Sequence, residues 1–561
     1  MNLRTALVLA IASLVLASVL VSAQQPASES ETLSSTTELV LVPAQVKGHD
    51  GKPLLGLKQE DFVVRSDGKP QPIRVFEQMT QTPATAANQP AAPVPPNIVL
   101  NVPNQGMPDQ ILIIAIDLVN TAYLDQTRAK QQLIKYLSAQ SPQQHFALVA
   151  ITKDGLQQIH NFSSDPAVLL EALKRVESTT DKDIADQQTL LDTAVTAAEF
   201  SSQLTSTDEY TSMMSAFKNE QIYGAYAQKI AARATLTALM QIAQAYAGVP
   251  GRKSVIWLTG GMPILVYNPV AGGAKGNSAL NADTDLLDDY DQAWTALNNS
   301  NVAIYGINLK GISTNRTYQG SGMQAAMHNP IYQTRANSGM VSPFSENDEA
   351  IQLLSDATGG KPCTANLDLK DCIDQAVADS ASYYMLGFYV PQQERKAGRH
   401  KLEVKLTSER GTVRSRSSYY LAPTTAPSDK EIARELRDAT NAKIGYTGIA
   451  FAVQTKAGDA AKPAMRIIVP ARSVLLSPGH PQLSYDIVSV PLNAKGEPAA
   501  DLRIVHLNLT EEQTQNALSK GWSFTDQPQG TGSKAIKYIL RDNGTGRIGS
   551  VIVPLQQKAG G

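Results

Sequence analysis

Cysteine is nearly absent from this chain: 561 residues contain only Cys363 and Cys372. A small scaffold held together by many disulfides is therefore excluded, and two thiols alone cannot close a structural zinc site. A surplus of either charge is also lacking. Lys and Arg number 49 against 51 Asp and Glu, for a net charge of −2. With no basic run, bulk electrostatics draws the chain neither to nucleic acid nor to an anionic membrane. The seven histidines are scattered, and none lies in an H-E-x-x-H pair, so a zinc hydrolase has no motif here. No G-x-S-x-G elbow occurs. The glycine-rich stretch 272–278 departs from G-x-x-x-x-G-K-[ST] and reads as a loop. Beyond the first 23 residues no apolar run is long enough to span a bilayer, so no membrane insertion of the mature chain is expected.

The N-terminus does carry such a run. Arg4 is followed by a largely apolar stretch from Ala6 to Val21, then by Val21-Ser22-Ala23 and the polar Gln24. That layout is a secretory signal peptide, 1–23, cleaved between Ala23 and Gln24, and it predicts a periplasmic or secreted protein. Both cysteines then lie in the exported part, where an oxidising compartment favours a Cys363–Cys372 disulfide. Closing so short a loop contributes about 2–3 kcal/mol by restricting the unfolded chain.

At about 150 residues per domain the length suggests three or four units. Residues 38–78 alternate short β-favouring runs with Asp-Gly turns at Asp50-Gly51 and Asp67-Gly68, predicting a small β module. The Pro/Ala/Gln-rich stretch 79–109 reads as a linker. From 110 to 390 the continuous apolar runs 111–116, 146–151, 254–258 and 302–307 alternate with helical stretches. This pattern predicts an α/β fold with a doubly wound parallel sheet, carrying a Thr/Ser/Gln/Asp-rich insert at 177–228. A β-hairpin at 391–421 follows, and pairing with 38–78 would make the α/β domain an insertion in one β unit. A linker at 422–444 leads to a strand-rich C-terminal region, 445–556, predicted as a β-sandwich.

Several segments together resemble a known family. They are G-L-K-Q-E-D-F-V-V with D-G-K-P-Q-P-I, A-I-D-L-V-N-T, G-R-K-S-V-I-W-L-T-G-G, N-V-A-I-Y-G-I-N, A-T-G-G and Y-Y-M-L-G-F-Y. In this order and spacing the chain resembles bacterial, acidobacterial-type exported proteins with a von Willebrand factor A-related domain. The resemblance implies a von Willebrand factor A-like core and, for such domains, contacts with protein ligands. It also implies where a metal-ion-dependent adhesion site would stand. Asp117 matches the first ligand of that family's Asp-x-Ser-x-Ser loop, Val119 replaces the first hydroxyl, and Thr121 stands for the second. At Thr259-Gly260-Gly261 the family's aspartate is replaced by Gly260, and no loop threonine is evident ahead of the helix containing Thr235. One carboxylate is a poor offset for the dehydration of Mg²⁺ or Ca²⁺. The site therefore reads as degenerate, with no cofactor required, and Asp117 as an acceptor for backbone N–H groups at a helix start.

Other candidates have ordinary readings. The acidic run from Asn281 to Asp291 lacks the glycine and distal glutamate of an EF-hand and suits a helix N-terminus. The pairs Tyr383-Tyr384 and Tyr419-Tyr420 suit sheet packing. The functional expectation is a non-enzymatic protein-binding or scaffold protein using Asn120, Thr259, Gly260, Gly261 and the loop near Thr314. A Mg/Ca-dependent adhesion module, an exported hydrolase and a self-associating envelope component are the alternatives.

Overall fold

A computed structural model describes residues 38–80, 94–95, 97–102, 111–139, 144–153, 155–176, 229–249, 251–262, 284–309, 343–363, 368–391, 394–421, 427–456, 464–477, 481–527 and 533–555. The signal peptide, the insert 177–228, the 272–278 loop and Thr314 lie outside them.

Ile111–Asp117 is buried along its whole length, as a strand that is apolar from Ile111 through Ile116 calls for. Its alternate side chains enter different cores. Ile111, Ile113 and Ala115 face one cluster, while Leu112, Ile114 and Ile116 face the other. Burying each of these large aliphatic side chains contributes about 1.5–3 kcal/mol, so a slip of register has no favourable alternative. The strand is central in a five-stranded sheet in the order Val302–Asn308, Lys253–Thr259, Ile111–Asp117, Phe146–Thr152, Gly155–Ser163. The first four are parallel and the last is antiparallel, giving a mixed sheet within an α/β unit.

Helices cover both faces. Tyr123–Ser138, Pro166–Lys174 and Leu369–Ala381 lie on the Leu112 side. A helix over 229–245, Thr284–Asn299 and Pro343–Thr358 lie on the Ile113 side. The helix after Ile111–Asp117 and the next described helix after its neighbour Lys253–Thr259 thus sit on opposite faces. This is the topological switch point, the place at the carboxyl ends of the two strands where open α/β sheets characteristically form a ligand-binding crevice. Cys363 pairs beyond Val302–Asn308 through Cys363 N–H to Gly306 O (2.8 Å) and Asn308 N–H to Cys363 O (3.2 Å). A disulfide to Cys372 ties that chain to helix Leu369–Ala381.

The flanking β segments interlock across the sequence. Glu38–Gly48 pairs with Ser382–Val390 over Glu38↔Val390 to Ala44↔Tyr384, and with Gly411–Ser415. Val75–Thr80 lies on the other side of Ser382–Val390. A second sheet joins Ser418–Leu421, Gly398–Leu406, Phe62–Ser66 and Lys69–Gln71. Val40, Val42, Phe62, Tyr384, Phe388 and Tyr419 pack between them. The α/β boundary expected at 390 therefore falls before 382, because the run Ser382–Val390 spends its alternating face on this second core.

Two stretches expected as linkers hold structure instead. Ile98–Leu100 pairs with Ala452–Lys456. Asp429–Asn441 is a helix whose Ser428 and Glu431 form a capping box. The C-terminal region builds two four-stranded sheets, one of them completed by Ile98–Leu100, that share an apolar cluster including Phe451, Ile467, Tyr485 and Tyr538. The outer face of one sheet, with Val488, Val490 and Ile539, belongs to the same cluster as the α/β helices. Gly248 meets Thr447 at this joint, Gly248 N–H donating to Thr447 Oγ1 (3.0 Å) and Thr447 Oγ1 to Ala245 O (2.8 Å). A Cβ on Gly248 would lie 1.9 Å from Thr447 O.

Candidate functional site

Asp117 ends the central strand at the crevice and is fully buried. A buried carboxylate has to be satisfied by donors, and here they converge from three elements. The backbone N–H groups of Val119 (3.1 Å) and Asn120 (3.0 Å) donate to Oδ1. Oδ2 accepts from Thr259 Oγ1 (2.9 Å), Asn120 Nδ2 (3.1 Å) and Thr235 Oγ1 (3.3 Å). Burial pushes the Asp117 carboxyl above the usual carboxylate range, although the Asn120, Thr259 and Val119 bonds oppose it. Dipoles, and not an ion pair, hold the group.

Each donor is itself held. Asn120 Nδ2 also donates to Thr235 Oγ1 (2.7 Å). Thr259 Oγ1 accepts from Gly261 N–H (3.1 Å), and Gly261 adopts a left-handed φ of 97° that suits glycine. Thr121 does not meet Asp117 in a hydrogen bond that we observe; its Oγ1 accepts from Gly260 N–H (2.9 Å). Gln126 Nε2 pins the intervening loop by donating to Leu118 O (3.1 Å) and Thr121 O (2.7 Å). The two loops press so closely that a Cβ on Gly260 would lie 2.4 Å from Asn120 O. An aspartate at 260 has no room.

The structure thus brings together Asp117, Asn120, Thr121, Thr259, Gly260 and Gly261. It adds Thr235, which the sequence places within a helix and not in the loop where the resemblance implies a threonine. Thr237 stands two residues away on the same helix, so the sequence alone does not mark Thr235 as the partner. The donor set does not fit a divalent cation as it stands: one carboxylate is present, both its oxygens are engaged by N–H and O–H donors, and position 260 supplies no side chain. Among the described residues no three His, Cys, Asp or Glu side chains are grouped to hold a metal.

Exposed apolar side chains lie close in sequence to these residues. Tyr123 and Leu124, which open the helix after the Asp117 loop, are 47% and 66% exposed. Ile230, five residues before Thr235, is also exposed. The tyrosine pairs lie elsewhere, with Tyr384 and Tyr419 buried in the flanking β core. Asp289, from the acidic run, pairs with Arg233 at 2.8 Å. No family model matches the sequence, and no curated protein matches it.

Proposed function

We propose that this is an exported, non-enzymatic protein-binding or scaffold protein, built on a von Willebrand factor A-like core, that engages its ligand at the crevice without a metal. The observation that carries this reading is a polar node closed on itself, with exposed apolar side chains close to it in sequence. Asp117 is fully buried and its donors are supplied from within, so little of it is left to offer a ligand. Tyr123 and Leu124 stand exposed shortly after it in sequence. Aromatic and large aliphatic side chains on a rigid platform are the usual anchors of protein interfaces. The Cys363–Cys372 disulfide supports export. Among the described residues no helix is long and apolar enough to cross a membrane.

A second reading, a Mg/Ca-dependent adhesion module, draws on Thr235 and Thr259, whose hydroxyls meet Asp117 Oδ2 from two elements. Photo-crosslinking separates the two. A benzophenone amino acid is placed at Leu124, with Leu475, exposed in the C-terminal region, as control. A discrete adduct at position 124 alone, unchanged by chelator, is expected. An adduct abolished by chelator favours the second reading, and no adduct beyond the control rejects both.

A further inference from the structure

Several sheet edges of this protein are guarded. Cys363 covers Val302–Asn308, and Tyr446 and Thr447 meet Ile548–Pro554. Gly155–Ser163 is irregular in register, and Lys69–Gln71 is three residues long with Lys69 and Pro70 in it. Covering, bulges, shortness, lysine and proline are the usual ways to blunt an edge. Arg503–Asn508, the edge strand of a C-terminal sheet, has none of them. Its residues R-I-V-H-L-N include neither lysine nor proline, and its register with Ser484–Leu492 is unbroken. That register fixes where the backbone points. Leu509 N–H donates to Leu483 O (2.9 Å), so the odd-numbered residues bond to Ser484–Leu492, and the N–H and C=O groups of Ile504, His506 and Asn508 point away from the sheet. Among the described residues no backbone hydrogen bond reaches those groups. Leu502 and Ile504 are 47% and 42% exposed beside them.

We infer that Arg503–Asn508 is a self-association edge, to which a second copy of this chain adds its own Arg503–Asn508 strand, antiparallel, about a two-fold axis. The strand is complementary to itself. With Ile504 opposite Ile504 of the second copy, Leu502 falls opposite His506, and Leu502 and Ile504 of both copies gather along one stretch of the seam. Charge does not oppose this register. Arg503 is the strand's only Lys, Arg, Asp or Glu, it is already paired with Asp526 of its own chain (2.7 Å), and the two Arg503 residues stand opposite Val505 and not opposite each other. A single strand pair is small beside the about 1,200–2,000 Å² of a stable interface, so the dimer is weak and forms as concentration rises. This edge belongs to the C-terminal region and uses no residue of the crevice, so it adds a second interaction surface to the one proposed above.

Sedimentation velocity of the chain from Gln24, over a series of concentrations, is expected to show a monomer–dimer equilibrium. Ile504→Lys sets like charges opposite each other and should raise the dissociation constant at least about tenfold. Ile552→Lys, at an exposed position on the far edge strand of the same sheet, should leave it unchanged. Ile504→Pro removes only an outward N–H that the ladder with Ser484–Leu492 does not use, and it should also abolish the dimer. A monomer at every concentration overturns the inference, as does a dimer that survives Ile504→Lys or is lost in Ile552→Lys instead. Should Ile504→Pro fail to fold, Ile504→Cys takes its place. Its thiol is the only one besides Cys363 and Cys372, and in the inferred register it faces its counterpart across a hydrogen-bonded pair, within reach of a disulfide. Mild oxidation should then give a covalent dimer much faster than in His506→Cys, and equal rates overturn the register. Crosslinking at Leu124 is read separately, so failure of either idea is distinguishable from failure of the other.

Discussion

Consider the replacement of Asp117 by alanine and by asparagine. Alanine removes the acceptor for five donors at once. The threonine hydroxyls can turn, but the N–H groups of Val119 and Asn120 cannot. Each orphaned amide costs about 1–3 kcal/mol. The sum is reduced because a buried charge disappears with the carboxylate, leaving a net loss of about 3 kcal/mol. Asparagine keeps Oδ1 for both backbone amides and puts an NH₂ where Oδ2 was, facing two hydroxyls that can reorient to accept and the Asn120 Nδ2, which keeps its bond to Thr235 Oγ1. Its loss should be about 1 kcal/mol. Urea unfolding followed by tryptophan fluorescence reads this difference, because Trp257 and Trp294 both belong to the α/β core. Asparagine as damaging as alanine, or alanine costing less than about 0.5 kcal/mol, would refute the view that Asp117 acts as a dipole-held acceptor. The pH dependence gives an independent check. Since folding raises the Asp117 carboxyl above its ordinary value, the folded state holds this proton more tightly. The wild type therefore loses stability relative to Asp117→Asn as pH rises from about 3.9 through the raised folded value, and the gap is constant above it.

Two further outcomes follow from the joints of the fold. Replacing both cysteines by serine should lower stability by about 2–3 kcal/mol, and a urea midpoint equal to that of the wild type would show the staple to be idle. Gly248→Ala sets a Cβ against Thr447 O, where 1.9 Å is available. Proteolysis under native conditions should then cut between the α/β unit and the C-terminal region, and an unchanged digestion pattern would mean that the joint adapts.

The legibility of the fold followed locality. Ile111–Asp117 could be read because its burial on both faces writes an unbroken apolar run ending at a carboxylate. The loop residues Asn120, Thr259, Gly260 and Gly261 came from the family resemblance, and the structure brings them together because two parallel neighbours end side by side. That the N-terminal strands pair with strands after the α/β domain could be proposed because the two sets bracket it. The assignment of Ser382–Val390 to that sheet could not be fixed, because the same aromatic and apolar run also suits a core strand, and only its register with Glu38–Gly48 decides. Ile98–Leu100 was hidden by its prolines, being too short to announce itself without Ala452–Lys456. The helix Asp429–Asn441 is different: its Ser428-x-x-Glu431 capping signature is present in the sequence, within a stretch whose prolines and threonines read as a linker. Thr235 needed the third dimension, since nothing along a helix says which hydroxyl will meet a carboxylate more than a hundred residues away.

The pairing of Glu38–Gly48 with Ser382–Val390 and Gly411–Ser415 also sets how the molecule carries tension. The α/β unit is a closed loop of chain whose two ends meet in that β unit, and Ile98–Leu100 is stitched to Ala452–Lys456 as a second clasp. A pull applied between residue 38 and the C-terminal region is borne first by those ladders. The crevice around Asp117 stays off the load path until they part, so its loops keep their shape while the chain on either side is under strain.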